Sequence, residues 1–354
     1  MATLTETAYI TRKGVNLLII VVMAAAILRF VLTSATGLWE KIFPPPPPPP
    51  TQAFGKLPMP AAVNNIATPS SAITYTIETP DGTLPTVPYT LRVYFMPKST
   101  ASFSAFDRMK KIASRLGFND APLRIANTTW RFMDNRNPLR TLDIDEVSLN
   151  FRVVYNFISD QTLFNDKNFT SAENVASEAR SYFEGLEILP MDFTGGQPIV
   201  SYYKFDAGTL VMAPAPAGAD AAGVTLTRTD LNSGMETLSK IPVVSPDYKQ
   251  GLVSLVLAGT RDSNKRILEA RFLASEIDKE NWATYPPIKA EEALEKLKNN
   301  RAIFASLPQN LGGNITLRKI YLAYLDPYPA QSFLQPVMVF SDERGFVAYV
   351  PLIQ

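Results

Sequence analysis

The chain has 354 residues, with 34 basic and 33 acidic side chains and a net charge of +1. That balance, with no basic block anywhere, argues against a nucleic-acid partner. Cysteine and histidine are both absent, which removes Ser-His-Asp triads, Cys-His dyads and zinc sites built on thiolate or imidazole; carboxylate chemistry or a serine–lysine pair remains. A large exported domain buries enough surface to fold without disulfides, so the missing cysteines fit export.

Residues 1–13 read as a cytoplasmic tail. Residues 14–36 hold an unbroken apolar run, Leu17 to Leu28, within a longer stretch from Val15 to Leu32 that only Asn16 and Arg29 interrupt. The stretch is just long enough to cross a bilayer as a helix. Arg29 either reaches the headgroups along its own stem or pairs with an acidic group on a partner helix. Trp39 and Phe43 suit the far interface, and Arg12 and Lys13 mark the near side as cytoplasmic. The same run also fits the apolar core of a cleaved signal peptide, with Thr33-Ser34-Ala35 as the cleavage site. Both readings put the bulk of the chain outside the cytoplasm.

Residues 37–70 read as a linker. It opens with an unbroken proline run, Pro44 to Pro50, and continues through Pro58, Pro60 and Pro69 among small residues. Proline runs adopt stiff polyproline II, so this one gives roughly 20 Å of stand-off. Order is expected from about Ile73.

The remainder reads as α+β, in three units at 71–165, 166–285 and 286–354. In the first, Ile73–Ile77 and Tyr89–Phe95 are predicted strands around a Pro-Asp-Gly turn at Pro80 to Gly82. A helix is predicted from Ser104 to Leu116, with Phe106, Met109, Ala113 and Leu116 as its apolar stripe and Gly117 closing it. Strands follow at Trp130–Met133, Leu139–Ile144 and Val147–Phe157. The last alternates most clearly, with Val147, Leu149, Phe151, Val153, Tyr155 and Phe157 on one face and Ser148, Asn150, Arg152 and Asn156 on the other. In the second unit a helix spans Ala172–Leu186 behind a Thr170–Glu173 capping box. Strands follow at Ile199–Phe205, Val224–Arg228, Leu252–Ala258 and Ile267–Leu273, and Ala213–Gly223 reads as an exposed loop. The third unit has a helix at Lys289–Lys298, strands at Ile315–Tyr324, Leu334–Phe340 and Phe346–Pro351, and a turn at Asp342–Gly345. The recurring order, one helix and then antiparallel strands, fits tandem copies of one module or an ordinary α+β fold with helices on one sheet face.

Candidate chemistry is sparse. Ser201-Tyr202-Tyr203-Lys204 matches Ser-x-x-Lys, but that pair needs a helix, and residues three apart on a strand point to opposite faces. Asp143, Asp145 and Glu146 could suggest a hard-metal site, yet they sit where one strand turns into the next and lack a calcium loop's ligand spacing. Asp342 and Glu343 read as turn residues. The Gly-Gly pairs at 195–196 and 312–313 lack any phosphate-loop context. Two distant carboxylates acting on a glycosidic bond would leave no local signature. No catalytic, cofactor-binding or metal-binding residue is therefore assigned, and no cofactor is expected.

In the third unit, Ala290-Glu291-Glu292-Ala293 opens a helix that reaches Leu297. It is followed by Leu322-Ala323-Tyr324, by Leu334-Gln335-Pro336-Val337 with Phe340, and by Phe346-Val347-Ala348-Tyr349-Val350. This pattern resembles the PepSY-like modules of the YycH/YycI-type membrane-anchored regulators. Ile241-Pro242-Val243-Val244 is similar in outline. The resemblance implies a single-pass anchor, an extracytoplasmic domain of tandem helix-plus-antiparallel-sheet modules, no catalysis, and contact with membrane proteins, notably sensor kinases. The proline spacer departs from that group and favours reach into or across a cell wall. The expected function is that of a non-enzymatic protein anchored in the lipid bilayer, which binds or regulates an envelope or membrane protein, or the cell wall. A structural single-pass subunit of a secretion, pilus or division assembly stays open, as does a carboxylate-dependent cell-wall enzyme.

Overall fold

The computed structural model describes residues 4–42, 48–61, 73–160, 162–167, 169, 171–213, 215–234, 239–248, 250–308 and 313–354. The chain is α+β, with one N-terminal apolar helix and several sheets. It divides into two compact units, residues 1–49 and 50–354.

The first unit is a single helix, α1 (Leu4–Ile42). It contains the expected 14–36 segment and continues past both of its ends. Thr11–Val31 is long and apolar enough to cross a membrane, and its side chains are exposed. At ~1.5 Å per residue the whole helix is nearly twice as long as a ~30 Å hydrocarbon core is thick. Pro44 to Pro47, Phe43 and the side chain of Trp39 lie outside the described residues.

The second unit starts earlier than the composition suggests. Of the expected linker 37–70, residues 50–61 are packed onto the folded unit. Thr51 and Thr284 each donate their backbone N–H to the other's Oγ1, at 2.9 and 3.0 Å. Gln52 N–H donates to Thr284 O. Tyr285 Oη donates to Gly55 O, and Gln335 Nε2 donates to Pro58 O. Phe54 and Leu57 pack with Val93, Tyr285, Phe333 and Ile353. Two apolar side chains among prolines and glycine are too sparse a signal for periodicity, yet they suffice to seat the segment once hydrogen bonds hold its backbone.

Chain order continues with β1 (Thr74–Ile77), β2 (Leu91–Phe95), α2 (Ala105–Arg115), β3 (Leu123–Arg124), β4 (Thr129–Met133), β5 (Arg140–Asp145) and β6 (Phe151–Tyr155). After these come α3 (Ala172–Glu184), α4 (Met191–Thr194), β7 (Ile199–Asp206), β8 (Thr209–Met212), β9 (Ala221–Leu226), β10 (Leu231–Asn232), β11 (Lys240–Ile241) and β12 (Val243–Val244). Next are β13 (Val253–Ala258), α5 (Ser263–Arg266), β14 (Ile267–Phe272), β15 (Asp278–Tyr285) and α6 (Ala290–Lys298). The chain ends with β16 (Ile303–Ser306), β17 (Asn314–Leu317), β18 (Lys319–Leu325), β19 (Phe333–Ser341) and β20 (Val347–Pro351).

One sheet has nine strands in the order β3-β4-β5-β6-β14-β13-β9-β7-β8, and every neighbouring pair is antiparallel. Register aligns Phe132, Leu142, Val153, Ala270, Leu255 and Val224 in one row across it. That row shares a core with Met109 and Ala113 of α2 and with Val175, Ala179 and Phe183 of α3. Both helices therefore cover the same face. Helix α2 ends as expected: Gly117, at φ +87°, lets Phe118 N–H reach Ala113 O. Helix α3 is capped one residue later than expected, by Ser171 Oγ accepting from Asn174 N–H, and Thr170 lies outside the described residues.

Two expectations fail in this sheet for local reasons. The predicted strand Val147–Phe157 begins only at Phe151, because the Asp145 carboxylate accepts from the Val147 and Ser148 N–H groups and folds 146–148 into a turn. Ala213–Gly223 is not all loop. Ala221–Leu226 is an interior strand, built of small residues because the Tyr203 ring lies over Gly223; a Cβ there would stand 2.8 Å from the ring.

The other large sheet has seven strands. It runs β12-β18-β19-β2-β15, with β20 between β19 and β16. Helix α6 packs Ala293 and Leu297 against Leu334, Met338, Phe340 and Val350 of this sheet. The strands on either side of the Pro80–Gly82 turn do not pair with each other. β1 pairs with β17 and β2 with β15 and β19, so pairing joins the 71–165 segment to 286–354. The single strand expected at Ile315–Tyr324 is two, interrupted at Arg318.

A buried ion cluster links the two sheets. Arg228, just past β9, donates from Nη1 to Asp192 of α4 (2.5 Å), from Nε to Asp326 just past β18 (2.6 Å) and from Nη2 to Ser275 O. Its guanidinium lies 4.4 Å from the centroid of the Phe193 ring. The three charged side chains are almost wholly buried. Burial raises the Asp326 carboxyl above the usual carboxylate range, against the pull of Arg228, and its Oδ1 has no hydrogen-bond partner among the described residues.

Removing one partner of such a cluster strands the others in low dielectric. Arg228→Met is therefore expected to lower the unfolding free energy by about 3–5 kcal/mol, read from urea denaturation. Leu57→Ala is expected to cost about 2 kcal/mol in the same assay; no change would mean that residues 50–61 are a free linker.

Candidate functional site

The face of the nine-stranded sheet opposite the helices is covered in part, where Phe157, Leu163 and Phe164 pack with Tyr203, Leu210, Val256 and Ala258. Alternation along the strands sends the complementary residues there. Register aligns Arg131, Asp143, Arg152, Arg271, Ser254 and Thr225 in one row on this face.

The charges in the row are held in pairs. Arg131 grips Asp143 with two hydrogen bonds, at 2.6 and 2.7 Å. Arg152 donates to Glu269 at 2.7 Å. Arg271 donates from Nη1 to Asp247 at 2.7 Å and to Gln250 Oε1 at 2.9 Å. Arg152 and Arg271 stand directly opposite each other on β6 and β14. Like charges in that position repel, and here each has its own carboxylate.

Two hollows lie along this face. The polar one, of about 600 Å³, is bordered by Asp143, Asn150, Arg152, Asp247 and Arg271, with Tyr328–Ala330 of the β18–β19 loop as a wall. Asn150 Oδ1 is buried beside it without a hydrogen-bond partner among the described residues. The second, of about 230 Å³, is bordered by Ser201, Tyr203, Leu210, Gly223 and Glu269. Gln250 borders both.

The acidic trio singled out from sequence is divided among structural tasks. Asp143 holds Arg131, and Glu146 accepts from Trp130 Nε1 at 2.8 Å. Asp145 accepts from Ser148 N–H and Oγ, Val147 N–H and Thr128 Oγ1. Burial alone would raise its carboxyl, but these hydrogen bonds outweigh burial and bring it below the usual range. Among the described residues, no group of three or more acidic side chains could hold a metal ion. Ser201 and Lys204 lie on β7, where positions three apart face opposite sides. Asp342 caps its own hairpin turn, accepting from the Arg344 and Phe346 N–H groups. Gly195 and Gly196 fill the turn between α4 and β7, and Gly312 lies outside the described residues.

Sequence reading missed Asp247, Gln250 and Tyr328 as groove residues. Each comes from a loop, Asp247 and Gln250 from the one before β13 and Tyr328 from the one after β18, and no local spacing announces it as a groove residue. Tyr203 was noted only inside the Ser-x-x-Lys match. Its role depends on Gly223, which β7–β9 register places diagonally across from it, next to Ala221, its direct partner.

No protein-family model matches the chain, and no curated protein matches it. Among solved structures, it is similar to an uncharacterized protein from Eubacterium rectale at 12% identity and TM-score 0.38, over 78% of this chain and 85% of that one. It is also similar to the YpeB C-terminal domain of Bacillus megaterium at 10% identity and TM-score 0.30, over 73% of this chain and 95% of that one. At these scores neither likeness bears on what this chain is.

Asp145→Ala removes the acceptor that shapes the β5–β6 turn and is expected to cost about 1–2 kcal/mol. Because the folded carboxyl sits below its unfolded value, its stabilisation is present above pH ~4 and is lost as pH falls through the folded pKa. The wild type should thus lose more stability than Asp145→Ala between pH 5 and pH 2 (roughly the range over which such a group titrates), as followed by urea denaturation at each pH.

Proposed function

We propose that this chain is a single-pass membrane protein with a cytoplasmic N-terminus, which displays residues 50–354 outside the cytoplasm and binds or regulates an envelope partner without catalysing a reaction. Thr11–Val31 supplies the span, and Arg12 and Lys13 before it supply the orientation. Pro44–Pro50 serves as a stiff spacer. The folded unit is built of PepSY-like modules: α2 with β3–β6, α3 with β7–β9, β13 and β14, and α6 with the later strands. The first two meet edge to edge at β6–β14.

The observation that carries the reading is the state of the open sheet face. Its guanidinium and carboxylate groups are committed to one another, as suits a preformed recognition surface. A catalytic site instead needs a nucleophile or a proton-transfer group set against a reacting bond.

The reading of a structural subunit in an envelope assembly is favoured by one feature. Strand β8 is a sheet edge with Met212 exposed, and such an edge is open to pairing with a further strand.

Protease added to intact cells is expected to digest residues 50–354, seen by an antibody to the C-terminus. Protection in intact cells with digestion after lysis would overturn the proposal. Crosslinking in intact cells from Thr141, on the open face, should capture a transient partner for a regulator. Fixed stoichiometry with other membrane proteins on purification would favour the assembly subunit.

A further inference from the structure

The two hollows on the open face meet at Gln250 and together cross six adjacent strands: β5, β6, β14, β13, β9 and β7. At ~4.8 Å between strands this makes a trough roughly 24 Å long, running across the strands. Resting on the binding role proposed above, we infer that the trough takes an extended chain of uncharged sugars.

Charge is the first argument. The row and its partners comprise Arg131, Arg152 and Arg271 against Asp143, Glu269 and Asp247, each guanidinium already bonded to its own carboxylate. An anionic ligand would have to displace a carboxylate, and a cationic one a guanidinium, each at a cost in desolvation. A neutral polyhydroxyl chain displaces neither. It accepts from N–H groups that the pairs leave over and donates to carboxylate lone pairs that they leave over. Balanced charge also disfavours nucleic acid, whose binding depends on a surplus of cations.

The second argument is the direction of the trough. An extended peptide gains most when it adds to a free strand edge and continues the backbone ladder. The strands beneath this trough are interior, with their N–H and C=O groups already paired to neighbours on both sides. The trough therefore offers side chains alone.

The third argument is what those side chains are. Planar polar groups dominate the polar end: the guanidinium–carboxylate pairs, the Gln250 amide and the Asn150 Oδ1, an acceptor with no donor among the described residues. At the other end the Tyr203 ring lies over Gly223 and presents a flat apolar surface beside the Ser201 hydroxyl. A pyranose ring has one face of C–H groups and a rim of hydroxyls. It matches an aromatic floor with polar walls.

The test uses the full-length protein in nanodiscs. Chitohexaose, cellohexaose and, as the anionic control, poly-glutamate are titrated by calorimetry at low and high salt. At least one neutral hexasaccharide is expected to bind, with less than a twofold change between salts, while poly-glutamate does not. Tyr203→Ala and Arg271→Gln should each weaken that binding tenfold or more. Gly223→Val should do the same by lifting the ring, and the exposed α6 variant Lys298→Ala should leave it unchanged. Near-UV circular dichroism confirms that each variant is folded; a variant that is not is replaced by Tyr203→Leu or Arg271→Lys. Absence of binding to both sugars at millimolar concentration, binding of poly-glutamate instead, or full affinity in folded Tyr203 and Arg271 variants would overturn the inference. A protein partner captured from Thr141 alongside sugar-negative titrations would overturn this inference and leave the binding role standing. Protection from protease in intact cells would remove that role whatever the titrations show.

Discussion

The two sheets of residues 50–354 depend on one guanidinium. Arg228 is held in a nearly dry site by two carboxylates from different parts of the chain and by a backbone carbonyl. Taking an arginine out of water costs several kcal/mol, so the site is tenable only because each face of the fork meets an acceptor. The count is not neutral, since two aspartates face one arginine. Burial resolves the excess by raising Asp326, whose second oxygen has no partner among the described residues. Asp326 thereby runs opposite to Asp145: its preference for the folded state is present at low pH and is lost as pH rises through its folded pKa. A cluster of this kind specifies which residues meet more than it adds stability.

The same cluster sets the geometry of the open face. Asp326 stands two residues before Tyr328, so the loop that walls the polar hollow leaves β18 at the point where Arg228 holds it. Arg228 itself follows β9, which carries Gly223 and Thr225 on the trough floor. Floor and wall come from different sheets, and the buried charges fix the distance between them. A packed hydrocarbon contact at that place would hold the sheets together but would tolerate sliding. A guanidinium fork with two carboxylates does not, because its hydrogen bonds are directional.

How much was legible in the sequence follows from how local each signal is. Helices α2, α3 and α6 were readable because their stripes repeat within a dozen residues. Gly117 was readable because a helix end needs a residue that accepts positive φ. Most long strands showed their alternation. The alternation misled at Val147 and Leu149, where a four-residue apolar/polar pattern belongs to a turn that the Asp145 carboxylate organises. It was silent at Ala221–Gly223, since alanine and glycine carry too little side chain to show a period, and the strand expected from Val224 starts three residues earlier. Partner choice was illegible throughout. β1 and β2 flank a genuine turn, in which Gly82 N–H bonds to Thr79 O, and yet each pairs with a strand near the other end of the chain. The open face was visible as the polar side of β6, through Arg152. Its closure into a groove required loops contributed from residues 247–250 and 328–330, which no spacing in β6 encodes.

Attachment and recognition fall on different sheets. Residues 50–61, where the chain enters the folded unit, are bonded to Thr284, Tyr285, Gln331 and Gln335 of the seven-stranded sheet and its β18–β19 loop. The trough floor belongs wholly to the nine-stranded sheet. The incoming strap therefore takes up one sheet's surface and leaves the other's open face to a ligand. Arg228 and the loop beyond Asp326 are one place where the two meet. Any strain that reaches the unit through the strap arrives first at the seven-stranded sheet, and it can alter the trough through that loop or through Asp247 and Gln250, which follow β12 of the same sheet. The fold thus separates the element that holds the protein in place from the one that binds, and a buried set of charges is one of the links between them.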